Sequence, residues 1–188
     1  DAWGELSSFL RAKGYRDREM IAAGVAVESR ERGGIYDRFR DRIMFPIRDA
    51  HGVVVGFTGR QLHDDKEAGG KYVNTPETLL YHKGSLLFGF DKAKQAVREQ
   101  GYALLVEGQM DVISLRQAGF PHAVAVSGTA LTADQLRLLK RATETLVLCF
   151  DADPGGSSAS SRGIDLAWQE GFTVKIVALP EGGAKDPD

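Results

Sequence analysis

The ten residues 102–111, Tyr-Ala-Leu-Leu-Val-Glu-Gly-Gln-Met-Asp, constrain the fold of this chain more than any other stretch. Five apolar or strand-forming residues lead into Glu107 and Gly108, and a helical pattern begins behind them. A buried strand therefore delivers a carboxylate at its C-terminal end, which is where open α/β sheets place their chemistry. The arrangement recurs where Leu-Val-Leu-Cys-Phe runs into Asp151 and Asp153, and again where the run 174–179 is followed by Asp186 and Asp188. One acid after a strand is ordinary, because Asp starts turns and caps helices. Five acids at three strand ends, with Asp111 one helical turn behind Glu107, are not ordinary, since gathered carboxylates repel unless a cation neutralises them. Hard oxygen donors in small number suit Mg²⁺, which keeps waters and substrate phosphates in its shell.

Strand and helix patterns alternate after residue 101. Strands are predicted at 102–106, 123–126, 146–150 and 174–179, with helices at 109–118, at 132–143 and before Gly171. Thr132 and Gln135 have the spacing of a capping box. Such alternation argues a mainly parallel sheet with helices on its faces. The loops Ser127-Gly128-Thr129 and Pro154-Gly155-Gly156 fall at strand ends beside the acids, where backbone N–H groups can meet phosphate. The serine run within 157–161 forms helix poorly, so the helix after Asp153 is expected to begin late or to follow a mobile loop.

The first 101 residues have a different character. They hold 17 Lys and Arg against 15 Asp and Glu, while residues 102–188 hold 7 against 11, so a mildly basic half precedes an acidic one. That asymmetry suits a phosphate-holding lobe beside a metal-binding lobe. Leu6, Phe9 and Leu10 lie at helical spacing, and 17–23 reads as a second short helix ending at Gly24. Arg38, Arg40 and Arg42 alternate, which places them on one face if the stretch is extended. Asp49-Ala50-His51-Gly52 makes a turn between 43–47 and the returning strand 53–57. Lys71 beside Tyr72 suits gripping a phosphate while stacking a base. Asp91 is expected to cap a helix over 92–100 that Gly101 closes, and the boundary between lobes is placed there.

Composition removes several classes. No apolar run approaches the roughly 20 residues of a membrane span, no signal peptide opens the chain, and the single cysteine, Cys149, sits in a strand pattern as a buried thiol. A cytoplasmic protein without a disulfide framework or a cysteine zinc site is the expectation.

Seven ordered motifs then carry a resemblance over nearly the whole chain. They are Tyr36-Asp37-Arg38-Phe39-Arg40-Asp41-Arg42 continuing to Arg48; Gly56-Phe57-x-Gly59-Arg60; Lys71-Tyr72-x-Asn74-Thr75-Pro76-Glu77-Thr78; His82-Lys83-Gly84; Glu107-Gly108-x-Met110-Asp111; Ser127-Gly128-Thr129-Ala130; and Asp186-Pro187-Asp188. With Asp151-x-Asp153 they resemble the bacterial replicative, DnaG-type DNA primases and their TOPRIM domain. Gln109 stands where that family usually has tyrosine, and Pro-Gly-Gly-Ser-Ser follows Asp153 where an Ala-Gly pattern is commoner.

The resemblance implies a mixed α/β fold: a TOPRIM-type, mainly parallel sheet over 102–188, truncated at its C-terminal side, preceded by a smaller basic subdomain over 1–101. It implies a nucleotidyltransferase, a DNA-directed RNA polymerase making short RNA primers on single-stranded DNA for replication. Glu107, Asp111, Asp151 and Asp153 are carried over as catalytic. Glu107, Asp151, Asp153, Asp186 and Asp188 are carried over as ligands for Mg²⁺, which Mn²⁺ can replace, with no zinc in this fragment; Glu107 ligates a metal or transfers a proton. Arg40, Arg42, Arg48, Arg60, Lys71, Tyr72, Asn74 and Lys83 are carried over as nucleotide- or template-binding, and His82 as structural. The implied partners are single-stranded template, ribonucleoside triphosphates, the RNA primer–DNA hybrid, and a replicative helicase reached through a C-terminal domain absent here. A bacterial, cytoplasmic monomer at the replication fork, with no membrane contact, completes the expectation. Two alternatives share the acids: a TOPRIM nuclease, which has no reason to carry the series Arg42 to Lys83, and a non-catalytic fragment that binds single strands or nucleotides.

Overall fold

The structure is a computed structural model that describes residues 3–29, 33–63, 70–128, 130–150 and 154–177. Four of the predicted acids, Asp151, Asp153, Asp186 and Asp188, and Thr129 lie outside the described residues. The chain divides into two compact units, Asp1–Ile47 with Val54–His82, and Arg48–Val53 with Lys83–Asp188.

In the first unit, α1 (Glu5–Ala12) and α2 (Asp17–Ala22) precede an antiparallel ribbon of β1 (Ala26–Glu28) and β2 (Ile35–Asp37), with Val27 opposite Tyr36. The start of α1 has no side-chain cap of its own, because Gly4 occupies that position. Asp37 supplies the missing acceptors from the ribbon. Its Oδ2 accepts the Leu6 N–H at 2.7 Å, and its Oδ1 accepts both the Ser7 N–H at 2.9 Å and the Ser7 hydroxyl. Two of the amides that a helix start leaves unpaired are thereby satisfied, and α1 is fixed to β2.

A three-stranded sheet follows in the order β3 (Arg42–Arg48), β4 (Val54–Gln61), β5 (Tyr72–Asn74). The predicted turn between the first two forms: Asp49 Oδ1 accepts the N–H groups of His51 and Val53, each at 2.9 Å. Strand β5 is antiparallel to β4, with Arg60 opposite Tyr72 and Thr58 opposite Asn74. The stretch before β3 is not extended. Asp41 takes a positive φ of 52°, so Arg38, Arg40 and Arg42 do not form the one-faced row that alternation predicts.

The second unit is built around the parallel sheet that the β/α alternation predicts. A 3₁₀ turn (Lys83–Ser85) leads into α3 (Phe90–Gln100), then β6 (Ala103–Val106), α4 (Gln109–Gln117), β7 (Ala123–Ala125), α5 (Ala133–Lys140), β8 (Thr145–Leu148), α6 (Pro154–Gln169) and β9 (Thr173–Ile176). The sheet order is β7-β6-β8-β9 and all three pairings are parallel. Strand β6 is buried along its whole length, as a run of Ala-Leu-Leu-Val between two helix layers must be. Its alternate residues divide the core. Ala103 and Leu105 pack with Phe90, Ala93 and Val97 of α3, Leu136 and Leu139 of α5 and Ala167 of α6, whereas Leu104 and Val106 pack with Val112 of α4 and the buried Cys149.

Three local expectations are corrected. Gly89, not Asp91, occupies the N-cap of α3, with a positive φ of 80°; Asp91 lies in the first turn. Gly101 closes that helix as predicted, with a φ of 76°. Helix α3, placed in the first lobe by sequence, contributes Phe90, Ala93 and Val97 to the core of the second unit. Helix α6 begins at Pro154, so Pro154-Gly155-Gly156 is a first helical turn and the serine run lies within the helix. Proline suits that position, because its missing N–H has no partner at a helix start in any case.

Tyr81 gives the first unit a titratable packing element. Its ring covers β4 at Gly56, where an added Cβ would stand 2.9 Å from the ring, and Tyr81 itself is 2% exposed. Burial, with a smaller contribution from Glu77, pushes its hydroxyl up to about 12. The folded state thus favours the neutral phenol, and this stabilisation is complete below the ordinary value near 10 and lost as pH rises toward 12. Denaturant titrations across that window should show a shallower loss of stability for Tyr81→Phe than for the wild-type chain. Identical slopes would show that the Tyr81 hydroxyl is hydrated in the folded protein.

Candidate functional site

The four strands of this sheet pair in parallel, with one antiparallel bridge from Phe88 to Ala125 on β7, so their C-terminal ends share one edge, and Glu107 leaves β6 there. Its carbonyl accepts the Ser127 N–H at 3.0 Å, which ties the segment after β7 to the segment after β6. Strand β8 reaches the same edge: the Cys149 N–H donates to Leu105 O at 2.9 Å, and Phe150 is the residue before Asp151. Gly108 caps α4, and its N–H donates to Asp111 Oδ2 at 2.7 Å. A side chain at Gly108 would place its Cβ 3.2 Å from that oxygen. Asp111 is accordingly buried, and one carboxylate oxygen is committed to holding the turn that carries Glu107.

Lys83 reaches this edge from the 3₁₀ turn, its Nζ donating to Gly128 O at 3.2 Å. Ser127 and Gly128 both take positive φ, 56° and 76°. The Ser127 amide, expected to be open to phosphate, is taken by Glu107 O. Its hydroxyl oxygen is instead the group buried with no hydrogen-bond partner among the described residues. Arg48, also in this unit, donates from Nη1 to Gly52 O at 2.6 Å and braces the turn it precedes.

Glu107 and Asp111 are the predicted acids that lie within the described residues. Among the described residues no group of three His, Cys, Asp or Glu side chains could hold a metal ion. The predicted donors are all carboxylates, a set whose chemistry fits a hard divalent cation. Glu107 at the C-terminal edge of β6, with Phe150 placing the chain at the end of neighbouring β8, is the part of that set the structure describes.

The remaining basic candidates lie in the first unit. Arg42 Nη1 donates to Gly59 O at 3.1 Å, Gly70 O at 3.0 Å and Lys71 O at 3.4 Å, so its guanidinium clamps the strand that precedes Tyr72. Gly59 makes room for it, since an added Cβ would lie 2.9 Å from Arg42 Cδ. Burial first, then the charge of Arg40, hold the Arg42 guanidinium below its ordinary value, with Asp41 opposing. Arg60 and Tyr72 face each other across β4 and β5. Lys71 is exposed, and its carbonyl accepts the Gln61 N–H at 2.9 Å. Asn74 Oδ1 is buried without a hydrogen-bond partner among the described residues. His82 pairs with Glu77 at 3.3 Å on the surface.

Arg40 shows what sequence reasoning missed. Its guanidinium lies 4.2 Å from the Trp3 ring centroid and 5.3 Å from that of Tyr36, and Nη1 donates to Asp37 O at 2.6 Å. Trp3 and Tyr36 meet edge to face at 5.7 Å, and Trp3 is 65% exposed. The result is an open aromatic surface with a cation stacked on it. Trp3 is far from Arg40 in sequence and reaches it because the Asp37 N–H donates to Trp3 O at 2.9 Å. No local pattern signals that contact.

Comparison with known proteins first assigns the class: residues 104–188 match the Toprim-like family. Residues 1–94 match the DNA primase catalytic core, N-terminal domain, and the chain belongs to the DNA primase catalytic core family. It is 45% identical over 189 residues to a DNA primase of Clostridium acetobutylicum, an alignment that covers 100% of this chain and 30% of that protein. The E. coli primase catalytic core superposes with a TM-score of 0.86 at 41% identity, covering 100% of this chain and 59% of the other. A DnaG primase catalytic domain bound to single-stranded DNA superposes with a TM-score of 0.84 at 40% identity, covering 99% and 57%. The chain thus spans about a third of the length of the curated relative, and the mixed α/β fold with a Toprim-like sheet agrees with the expectation.

The Asp111 bond to Gly108 has a measurable worth. Asp111→Ala should destabilise the chain by about 1–2 kcal/mol in chemical denaturation, the usual cost of losing a helix-start acceptor. Asp111→Asn, which keeps an acceptor oxygen for the Gly108 N–H, should cost clearly less. Equal losses would assign the effect to the charge and not to the bond.

Proposed function

We propose that the chain is the nucleotide-joining part of a primase and, with Mg²⁺ or Mn²⁺, extends RNA on a single-stranded DNA template. The observation that carries this reading is the placement of Glu107, with Lys83 on Gly128, at the C-terminal edge of an all-parallel sheet in a primase-family chain. In the reaction a 3′-hydroxyl gives its proton to Glu107 or to water, its oxygen attacks an α-phosphate, the new phosphodiester forms, and pyrophosphate leaves with the broken P–O bond's electrons. Divalent cations held by the carboxylates would supply neutralisation of the charge that develops in this step.

The protein's own groups divide the remaining work. Glu107, Asp151, Asp153, Asp186 and Asp188 hold the cations, and Asp111 keeps the Glu107 turn in place through Gly108. Lys83 offers a point charge to the triphosphate, and Arg48 stiffens the turn over residues 49–52 through Gly52 O. Arg40, Arg42, Arg60, Lys71, Tyr72 and Asn74 handle template and nucleotide: Arg40 with its aromatic neighbours stacks bases, Lys71 and Arg60 meet phosphates, and Arg42 keeps that strand in register. The first unit carries most of the basic and aromatic template-binding groups, and the second, Arg48–Val53 with Lys83–Asp188, carries the metal-binding acids. A DnaG domain of the same fold is bound to single-stranded DNA, which supports the choice of template. Ribonucleoside triphosphates, the primer–template hybrid and a replicative helicase are the further partners proposed, with the chain acting as a monomer in the cytoplasm. No helix among the described residues is long and apolar enough to cross a membrane.

Extension of a supplied RNA primer on a DNA template tests this directly. With ribonucleotides and Mg²⁺ or Mn²⁺, the wild-type chain should extend the primer, and Glu107→Gln and Asp151→Asn should each reduce extension by at least about a hundredfold, the scale of lost electrostatic stabilisation at a reacting phosphate. Cleavage of the template in place of extension would reassign the site to a nuclease. Full activity in both variants would remove the carboxylates from the mechanism.

A further inference from the structure

Gln135 and Thr132 lie outside the acidic and basic sets, yet their side chains hold the turn from which Lys83 projects. Gln135 is completely buried at 0% exposure. Its Oε1 accepts the Thr132 N–H at 3.1 Å, and Thr132 Oγ1 accepts the Gln135 N–H at 3.2 Å. Those two reciprocal bonds complete the capping box at the start of α5. The other donors of the pair go elsewhere. Gln135 Nε2 donates to Leu86 O at 2.8 Å and to Lys83 O at 3.4 Å, and the Thr132 hydroxyl donates to Gly84 O at 2.5 Å.

All three of these acceptors belong to one short segment, 48 to 52 residues upstream, that forms and follows the 3₁₀ turn Lys83–Ser85. A helix cap alone needs none of them. A buried amide whose oxygen and both N–H groups are committed fixes what it touches, because each bond left unmade there would leave a desolvated polar group unpaired. From that anchored turn the Lys83 ammonium reaches Gly128 O, next to Ser127, whose N–H bonds to Glu107 O. The buried start of α5 is therefore connected through Lys83 to the strand edge that carries Glu107.

We propose that Gln135, together with Thr132, is a positioning residue that sets the placement of Lys83 for the triphosphate of an incoming nucleotide. The inference rests on the reading of Lys83 as a triphosphate ligand. Lysine meets phosphate as a point charge on a flexible stem, so its contribution depends on where its backbone is held.

Equilibrium dialysis of labelled ATP with Mg²⁺ against the chain tests it. Gln135→Met and Thr132→Val should each weaken ATP binding about fivefold, the effect of roughly 1 kcal/mol. Thr132→Ser, which keeps the hydroxyl, should bind as the wild-type chain does. Lys83→Ala should weaken binding further, and adding Gln135→Met to Lys83→Ala should then cost nothing more, since two residues acting through one contact are not additive. The same fivefold loss in the Lys83→Ala background would overturn the proposal, showing that Gln135 acts on the fold and not through Lys83. If circular dichroism shows Gln135→Met to be unfolded, Thr132→Val against Thr132→Ser, with and without Lys83→Ala, makes the same comparison. ATP binding unchanged by Lys83→Ala would instead sink the reading of Lys83 itself, and this inference with it.

Discussion

The second unit depends on one constraint, the burial of β6 on both faces. A strand with no exposed side needs a helix layer above and another below, and the β/α alternation supplies both. Each intervening helix returns the chain to the same end of the sheet, so β6 pairs in parallel with β7 and β8 and their C-terminal ends share one edge. The chemistry is placed by that geometry. Glu107 is at the edge because the apolar run stops there, and Asp111 is buried behind it because the first free amide of the next helix, that of Gly108, needs an acceptor.

This part of the molecule was legible in the sequence because its signals are local. Apolar runs of fixed length, acids at their ends, the Thr132 and Gln135 spacing and the closing Gly101 are each read within a few residues. Boundaries were less legible. The N-cap of α3 went to Gly89 because a glycine can take the positive φ that leads into that helix, while Asp91 lies two residues on, in the first turn. The serine-rich start of α6 is helical despite poor intrinsic propensity.

The first unit was less legible because its determinants are long-range. The reading of Arg38, Arg40 and Arg42 as one row assumed an extended backbone that the positive φ of Asp41 interrupts. Arg40 instead lies against Trp3 and Tyr36, and Trp3 is held there by the Asp37 N–H bond to its carbonyl, a contact between residues far apart in sequence. Arg42, carried over as nucleotide- or template-binding, also donates to three backbone carbonyls on either side of the loop before Tyr72, contacts 17 to 29 residues away that no local pattern signals. The ribbon of β1 and β2 was not foreseen either, since three-residue strands carry too short an alternation to register.

The proposed function requires the carboxylates following β6 and β8 to gather a divalent cation at the shared edge of the sheet. Anomalous diffraction from crystals of this chain soaked in Mn²⁺ measures that position without reference to activity. A Mn²⁺ peak should lie within bonding distance of a Glu107 or Asp151 carboxylate oxygen and be absent from crystals of Glu107→Gln grown and soaked in the same way. A peak bound elsewhere on the chain, or one beside Asp111 that survives Glu107→Gln, would contradict it.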